Sequence, residues 1–359
     1  MKPRNVLFIT SDQQQVGAMG CADPSFVTPH LDALAGRGVR FTKSITTAAQ
    51  CTPARASWET GRYPHEVGVN QIGHTIRPDL PMVAKVFAHA GYETVHFGKW
   101  HLFTPPSLCG YQVTEYRTDG IDTGPADMNH PERWSALDAG ATAMAIHYIR
   151  DSGAQPFFMA LSYYSPHPGD IKFELIRAYL QGAHRLRLKG VVPYRELYNV
   201  PLIVVDPTDK GGGRVSDRLV SSAAVPGTLL CLAGLPVPTD FTGGVLPDVF
   251  LQDSPTNQPA AVEEHVFFEH YKAYWGFHPF YGVQTTNWKY AYYYQGEMEE
   301  MYDLMQDPDE LVNVAEDLNL SQIKKRLRSQ VSAWWEQTGG LSVTPLKAED
   351  VSGAWSGLV

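Results

Sequence analysis

Cys51-Thr52-Pro53-Ala54-Arg55-Ala56-Ser57-Trp58-Glu59-Thr60-Gly61-Arg62 reads as a short helix with chemistry at its first residue. Thr52 can cap a helix and Pro53 suits a first turn. Residues 54–59 continue it and Gly61 can end it. Position 51 then lies at a helix N-terminus, where free N–H groups and the helix dipole attract anions. Arg55, one turn on, adds positive charge. Taken alone, Cys51 is as well explained as a buried inert thiol; its flanking residues point the other way.

Outward from this helix the chain alternates. Residues 6–10 are a short apolar run that reads as a buried parallel strand ending at Ser11-Asp12-Gln13. Thr28-Pro29 opens a helix with Leu31, Leu34 and Ala35 on one face, closed by Gly36 and Gly38. Residues 82–90 and 135–150 are further helices. Residues 94–97, 157–163 and 200–205 are strands. The pattern predicts an α/β fold, a mostly parallel mixed sheet sandwiched by helices. Asp12, Lys99, His101 and His167 each fall just past the carboxyl end of such a strand. Open α/β sheets bind ligands at that edge. Each residue singly has an ordinary reading as a cap, a solvated charge or a satisfied core imidazole. Packing does not explain their coincidence at one edge.

The texture changes after residues 251–259, which read as a linker. Residues 266–269, 281–284 and 288–292 look like aromatic-rich antiparallel strands, and 321–336 like an amphipathic helix. This divides the chain into a catalytic α/β domain, 1–255, and a small α+β subdomain, 256–359.

The 359 residues suffice for a sizeable core, and 43% hydrophobic with 19% charged residues argues against disorder. A net charge of −9 gives no basic field for nucleic acid, so an anionic substrate needs a local positive site. The four cysteines, at 21, 51, 109 and 231, fit neither a zinc motif nor a dense disulfide framework. No signal peptide or membrane-spanning run is visible, which makes a cytoplasmic enzyme the expectation.

The Cys51-x-Pro53-x-Arg55 core, with Thr60-Gly61-Arg62 and Tyr63-Pro64-His65 after it, resembles the signature of the type I sulfatases of the alkaline phosphatase superfamily. Further blocks run through most of the chain in that family's order. The resemblance implies that a formylglycine-generating enzyme converts Cys51 to formylglycine, whose hydrate is the nucleophile. It implies a divalent metal, calcium or otherwise magnesium or manganese, held by Asp12, Gln13 and residue 51; hard oxygen donors suit those ions. Arg55, His101 and His167 would serve catalysis, and Lys99 and Lys189 would bind the sulfate of a small-molecule ester.

In one place the chain departs from the family's pattern. The family carries a strand ending in Asp-His-Gly or Asn-His-Gly before the segment that Gly182-Ala183-His184-Arg185 resembles. Here only residues 168–181 separate His167 from that segment. There is no Asp-His pair, and Asn129-His130 lies elsewhere. The expectation is an internally shortened chain that lacks one central strand, holds its metal weakly and turns over slowly. Sulfate monoester hydrolysis stands against two rivals: phosphonate monoester or phosphodiester hydrolysis, and a non-catalytic sulfatase-like protein.

Overall fold

The computed structural model describes residues 3–117, 131–166, 184, 186, 190–208, 212–246, 249, 264–273 and 277–343. The first sheet is parallel throughout, in the order β1 (Val6–Thr10), β5 (Phe157–Ser162), β3 (Glu93–Lys99), β4 (Val113–Arg117). All its carboxyl ends therefore lie along one edge. Alternation sorts its side chains onto two faces. Phe158 and Ala160 of β5 pack with Phe87 of α4 (Val83–His89) and Ala56 of α2 (Cys51–Thr60). Met159, Leu161, Val95 and Phe97 meet Ala141 and Ala145 of α5 (Pro131–Asp151) on the other face.

The first strand corrects the reading of residues 6–10 as buried. Leu7 is 43% and Ile9 47% exposed. They lie beside Met159 and Leu161 in the pairing register, on the α5 face of the sheet. That helix packs on β3 and β5. Among the described residues β1 has a strand on one side only.

A second, three-stranded sheet has the order β6 (Leu202–Val204), β2 (Val39–Ile45), β7 (Arg214–Ser221). It is mixed, with β2 antiparallel to β6 and parallel to β7. Neither β2 nor β7 is among the expected strands: β2 alternates only over residues 39–42 before Lys43 breaks the period, and Arg214-Val215-Ser216-Asp217-Arg218 at the start of β7 holds one apolar residue. From the end of β2 the chain runs directly into α2.

The third sheet is antiparallel, in the order β11 (Met298–Asp303), β10 (Trp288–Tyr293), β9 (Phe280–Thr285), β8 (His265–His270). Helix Ser321–Gln337 covers it with Leu327, Val331, Trp334 and Trp335, against Tyr281, Val283 and Tyr290. Two buried polar joints fasten this subdomain. His65, just after α2, donates its backbone N–H to Glu269 Oε1 (2.8 Å), and its Nδ1 meets Glu269 Oε2. Its ring packs between Trp334 and Trp335, at 5.0 and 4.4 Å between centroids. The second joint is Lys289–Glu310, Nζ to Oε1 2.6 Å, both buried. Lys289 also donates to the Pro193 carbonyl (2.9 Å), and Glu310 Oε2 accepts the Arg195 N–H (2.8 Å). The residue 251–259 linker, and the boundary placed in it, lie outside the described residues.

Removing one partner of a buried ion pair leaves an uncompensated charge. Lys289→Met should therefore lower the unfolding free energy by about 3–5 kcal/mol in urea titrations. The double variant Lys289→Met/Glu310→Leu should recover most of that loss.

Candidate active site

Helix α2 starts at Cys51 and ends at Gly61, whose φ of 63° is the left-handed conformation that glycine adopts freely. Its N-cap is Gln50, not Thr52. The Thr52 hydroxyl instead donates to the His101 carbonyl at 2.8 Å, tying the segment after β3 to the helix start. Cys51 and Arg55 are four residues apart and share one helix face.

The carboxylate of Asp12 is the point on which the site converges. It lies two residues past β1 and is 5% exposed. Lys99, the last residue of β3, is fully buried and places Nζ 3.0 Å from Asp12 Oδ2. Arg55 brings Nη2 to 3.7 Å of the same oxygen. The Cys51 thiol stands 3.4 Å from it. Arg55 Nη1 donates to the Lys99 carbonyl (2.8 Å) and to Ser162 Oγ (3.3 Å). Ser162 in turn shares a hydrogen bond with Thr10 at 2.7 Å. The Lys99 ammonium also lies 5.0 Å from the Tyr164 ring centre and 5.9 Å from that of Trp134. Among the described residues, two buried cations thus face one buried carboxylate beside residue 51.

His101 is buried next to this centre, with φ 49°. Gln13 has φ 65°. Left-handed backbone at residues other than glycine is unfavourable and concentrates at functional sites. Asp12, Cys51, Arg55, Lys99 and His101 are therefore gathered at one sheet edge, and Gln13 follows Asp12 at the bend. His167 and Lys189 lie outside the described residues, as do Asn129, Asp170 and residues 173–180.

Behind Arg55 is a layer that motif reading did not single out. Glu59, one turn further along α2, accepts the Tyr111 hydroxyl at 3.0 Å. Burial raises the Glu59 carboxyl to about 8, against the pull of that hydrogen bond and of the Arg55 charge. Burial and the Arg55 charge push His96 down to about 3. With its pKa raised to about 8, Glu59 is mainly protonated at pH 7 and leaves the Arg55 charge largely unopposed from behind, while the neutral His96 adds no second positive charge beside it. Glu59 was readable from helical period alone, as the next residue on the Cys51–Arg55 face. Ser162 fell inside the expected strand 157–163 with nothing to mark it as a site residue, and the structure ends that strand on it. Tyr111 gave no such signal.

Among the described residues, buried cations gathered at the carboxyl edge of a parallel sheet suit an anionic ester, and with the fold they define a hydrolase of sandwiched α/β architecture. The chain belongs to the sulfatase family. The Sulfatase family model matches residues 4–182, and that for the C-terminal region of N-sulphoglucosamine sulphohydrolase matches 182–337. An ulvan-active sulfatase of Formosa agariphila is 41% identical over 99 residues, 27% of this chain and 19% of that protein. A Delta 4,5-hexuronate-2-O-sulfatase of Bacteroides thetaiotaomicron is 23% identical over 425 positions, covering 89% of this chain and 86% of that protein. Those 425 positions exceed the 359 residues of the chain, so that relative carries residues without a counterpart here. A solved structure in complex with its substrate D-glucosamine-2-N,6-O-disulfate superposes with a TM-score of 0.78. It is 18% identical, over 94% of this chain and 99% of the other. Sulfatases generally use a metal and a formylglycine.

Glu59 makes stability depend on pH in a definite direction. Its folded-state pKa of about 8 exceeds the 4.5 of a solvated glutamate. The folded state therefore keeps a proton that the unfolded state releases, and Glu59's contribution falls as pH rises from 4.5 to about 8. Glu59→Gln should match the unaltered chain below that window and become progressively more stable than it up to about pH 8, with a constant difference beyond. Urea titrations at a series of pH values measure this.

Charge-assisted contacts to an anion are worth about 1.5–3 kcal/mol each. Lys99→Met should accordingly weaken inorganic sulfate binding by about one to two orders of magnitude in calorimetric titration.

Proposed function

We propose that this chain hydrolyses sulfate monoesters, with residue 51 as the nucleophile position and Lys99 and Arg55 as the groups that hold the sulfate. The observation that carries the proposal is the Asp12 centre. Its buried cations outnumber its described carboxylate, and residue 51 stands against that carboxylate at the positive end of a helix. A sulfate ester is a stable anion that repels nucleophiles, and Lys99 and Arg55 would neutralise it and the charge that builds as the ester bond breaks. As formylglycine hydrate, residue 51 would supply one hydroxyl to attack sulfur and a second whose deprotonation releases the sulfate. Asp12, 3.4 Å from the Cys51 sulfur, is placed to accept a proton from the group at that position. His101 or, by the family resemblance, His167 would protonate the departing alcohol oxygen.

The proposed metal ligands are Asp12, Gln13 and residue 51, with calcium the expected ion. Calcium takes about six to eight oxygens and magnesium about six. Among the described residues no three His, Cys, Asp or Glu side chains gather around one point. The Asp12 carboxylate is already engaged by Lys99 at 3.0 Å. The described donors do not fit a tightly held cation, and no step is derived through one. That misfit, together with the residues the hexuronate sulfatase has and this chain lacks, supports the reading of a shortened chain with low turnover.

Co-expression with a formylglycine-generating enzyme tests the nucleophile. The tryptic peptide carrying residue 51 should show the mass deficit of an aldehyde replacing a thiol. The matured protein should cleave 4-nitrophenyl sulfate slowly and in preference to 4-nitrophenyl phenylphosphonate, and Cys51→Ala should abolish the reaction. An unmodified Cys51, or turnover that survives Cys51→Ala, would overturn the proposal. Faster cleavage of the phosphonate would favour the rival substrate class.

A further inference from the structure

Arg55 is held at one end of its guanidinium by neutral oxygens. Its Nη1 donates to the Lys99 carbonyl (2.8 Å) and to Ser162 Oγ (3.3 Å). A terminal guanidinium nitrogen carries two hydrogens, so both are engaged. The acceptors sit at the ends of neighbouring strands, Lys99 on β3 and Ser162 on β5. The other terminal nitrogen is held differently. Among the described residues the polar contact of Nη2 is the 3.7 Å approach to Asp12 Oδ2, longer than a hydrogen bond. That same carboxylate oxygen stands 3.4 Å from the Cys51 sulfur. The fork is thus clamped at Nη1, and its looser end lies on the side of residue 51.

Hydrogen-bond direction extends the clamp by one residue. Arg55 can only donate, so Ser162 must turn a lone pair to Nη1. The Ser162 hydroxyl lies 2.7 Å from that of Thr10, its partner in the β1–β5 register. Whichever of the two donates, this contact fixes the rotation of the Ser162 hydroxyl and leaves a lone pair for Arg55. Thr10, Ser162 and Arg55 are all buried. The Trp58 ring, its centre 5.7 Å from Arg55 Cζ, packs against the same guanidinium.

Neutral acceptors suit this place. A carboxylate bonded to Nη1 would hold the fork but would also offset its charge. A hydroxyl and a peptide carbonyl orient the fork and leave the charge for an anionic ligand. Orientation matters because arginine binds oxyanions through a rigid planar fork, and the strength of each contact depends on its geometry.

We propose that Ser162, its hydroxyl set by Thr10, is a positioning residue for Arg55: it fixes the plane of the guanidinium so that Nη2 meets an anionic oxygen beside residue 51. The proposal rests on the reading of the Asp12 centre as the sulfate site. In this role Ser162 acts through Arg55 and not on the ester.

Calorimetric titration of the full chain with inorganic sulfate is the test. Ser162→Ala should weaken sulfate about three- to tenfold, the scale of one hydrogen bond. Thr10→Val should weaken it by a smaller factor, and Ser162→Thr, which keeps the hydroxyl, should bind as the unaltered chain does. Arg55→Lys supplies the deciding background, because lysine keeps the charge but has no planar fork to orient. Added to Arg55→Lys, Ser162→Ala should change sulfate affinity by less than about twofold. Cooperative thermal melts show which variants fold. Thr10→Val retains the β-branched shape that strands favour, and it carries the test if Ser162→Ala does not fold. The proposal is overturned by unchanged affinity in Ser162→Ala and Thr10→Val. An equal loss with and without Arg55→Lys, or the same loss in Ser162→Thr as in Ser162→Ala, overturns it too, since Ser162 then only supports the fold. If the unaltered chain binds no sulfate, the sulfate reading itself fails and the proposal falls with it.

Discussion

The Asp12 carboxylate ties together parts of the chain that nothing else would bring into register. Its oxygens receive Lys99 from the end of β3, Arg55 from the second turn of α2 and the Cys51 thiol from the first. All of these side chains are buried. An ionised group out of water is strongly unfavourable unless paired, so each charge requires the others to stay in place. Among the described residues, two buried cations stand on this one buried carboxylate.

The layer behind the site leaves the Arg55 charge largely in place. Glu59 lies on the same helix face and would offset that charge if ionised; burial raises its pKa to about 8 and keeps it mainly protonated at neutral pH. The second sheet carries the chain into α2, and the His65–Glu269 joint sets the C-terminal subdomain immediately beyond it.

The strand composition explains the one region where the fold is less complete than its apolar pattern suggests. A run such as Val6-Leu7-Phe8-Ile9 normally belongs to a strand covered on both faces. Here Val6 and Phe8 reach the core shared with α4, while Leu7 and Ile9 extend past the cover that α5 gives to β3 and β5. Among the described residues, β1 is an edge strand and the β2 sheet is a separate body. A chain lacking one central strand would be left with such an edge.

The sequence by itself determined the helix from Cys51 to its glycine stop, three of the four strands of the parallel sheet (β1, β3 and β5, but not β4) and the placing of Asp12 and Lys99 at strand ends. Helical period, turn residues and strand-end polarity are local signals, carried within a few residues. The strands β2 and β7 left no such trace, and Thr52 was free to serve either as a cap or, as it does, as a tether to His101. Only the tertiary structure decided which cations meet Asp12 and that His65 pairs with a glutamate 204 residues away. Those contacts join elements distant in the chain. Their energy comes from desolvation and charge pairing, which exist only once the core has formed.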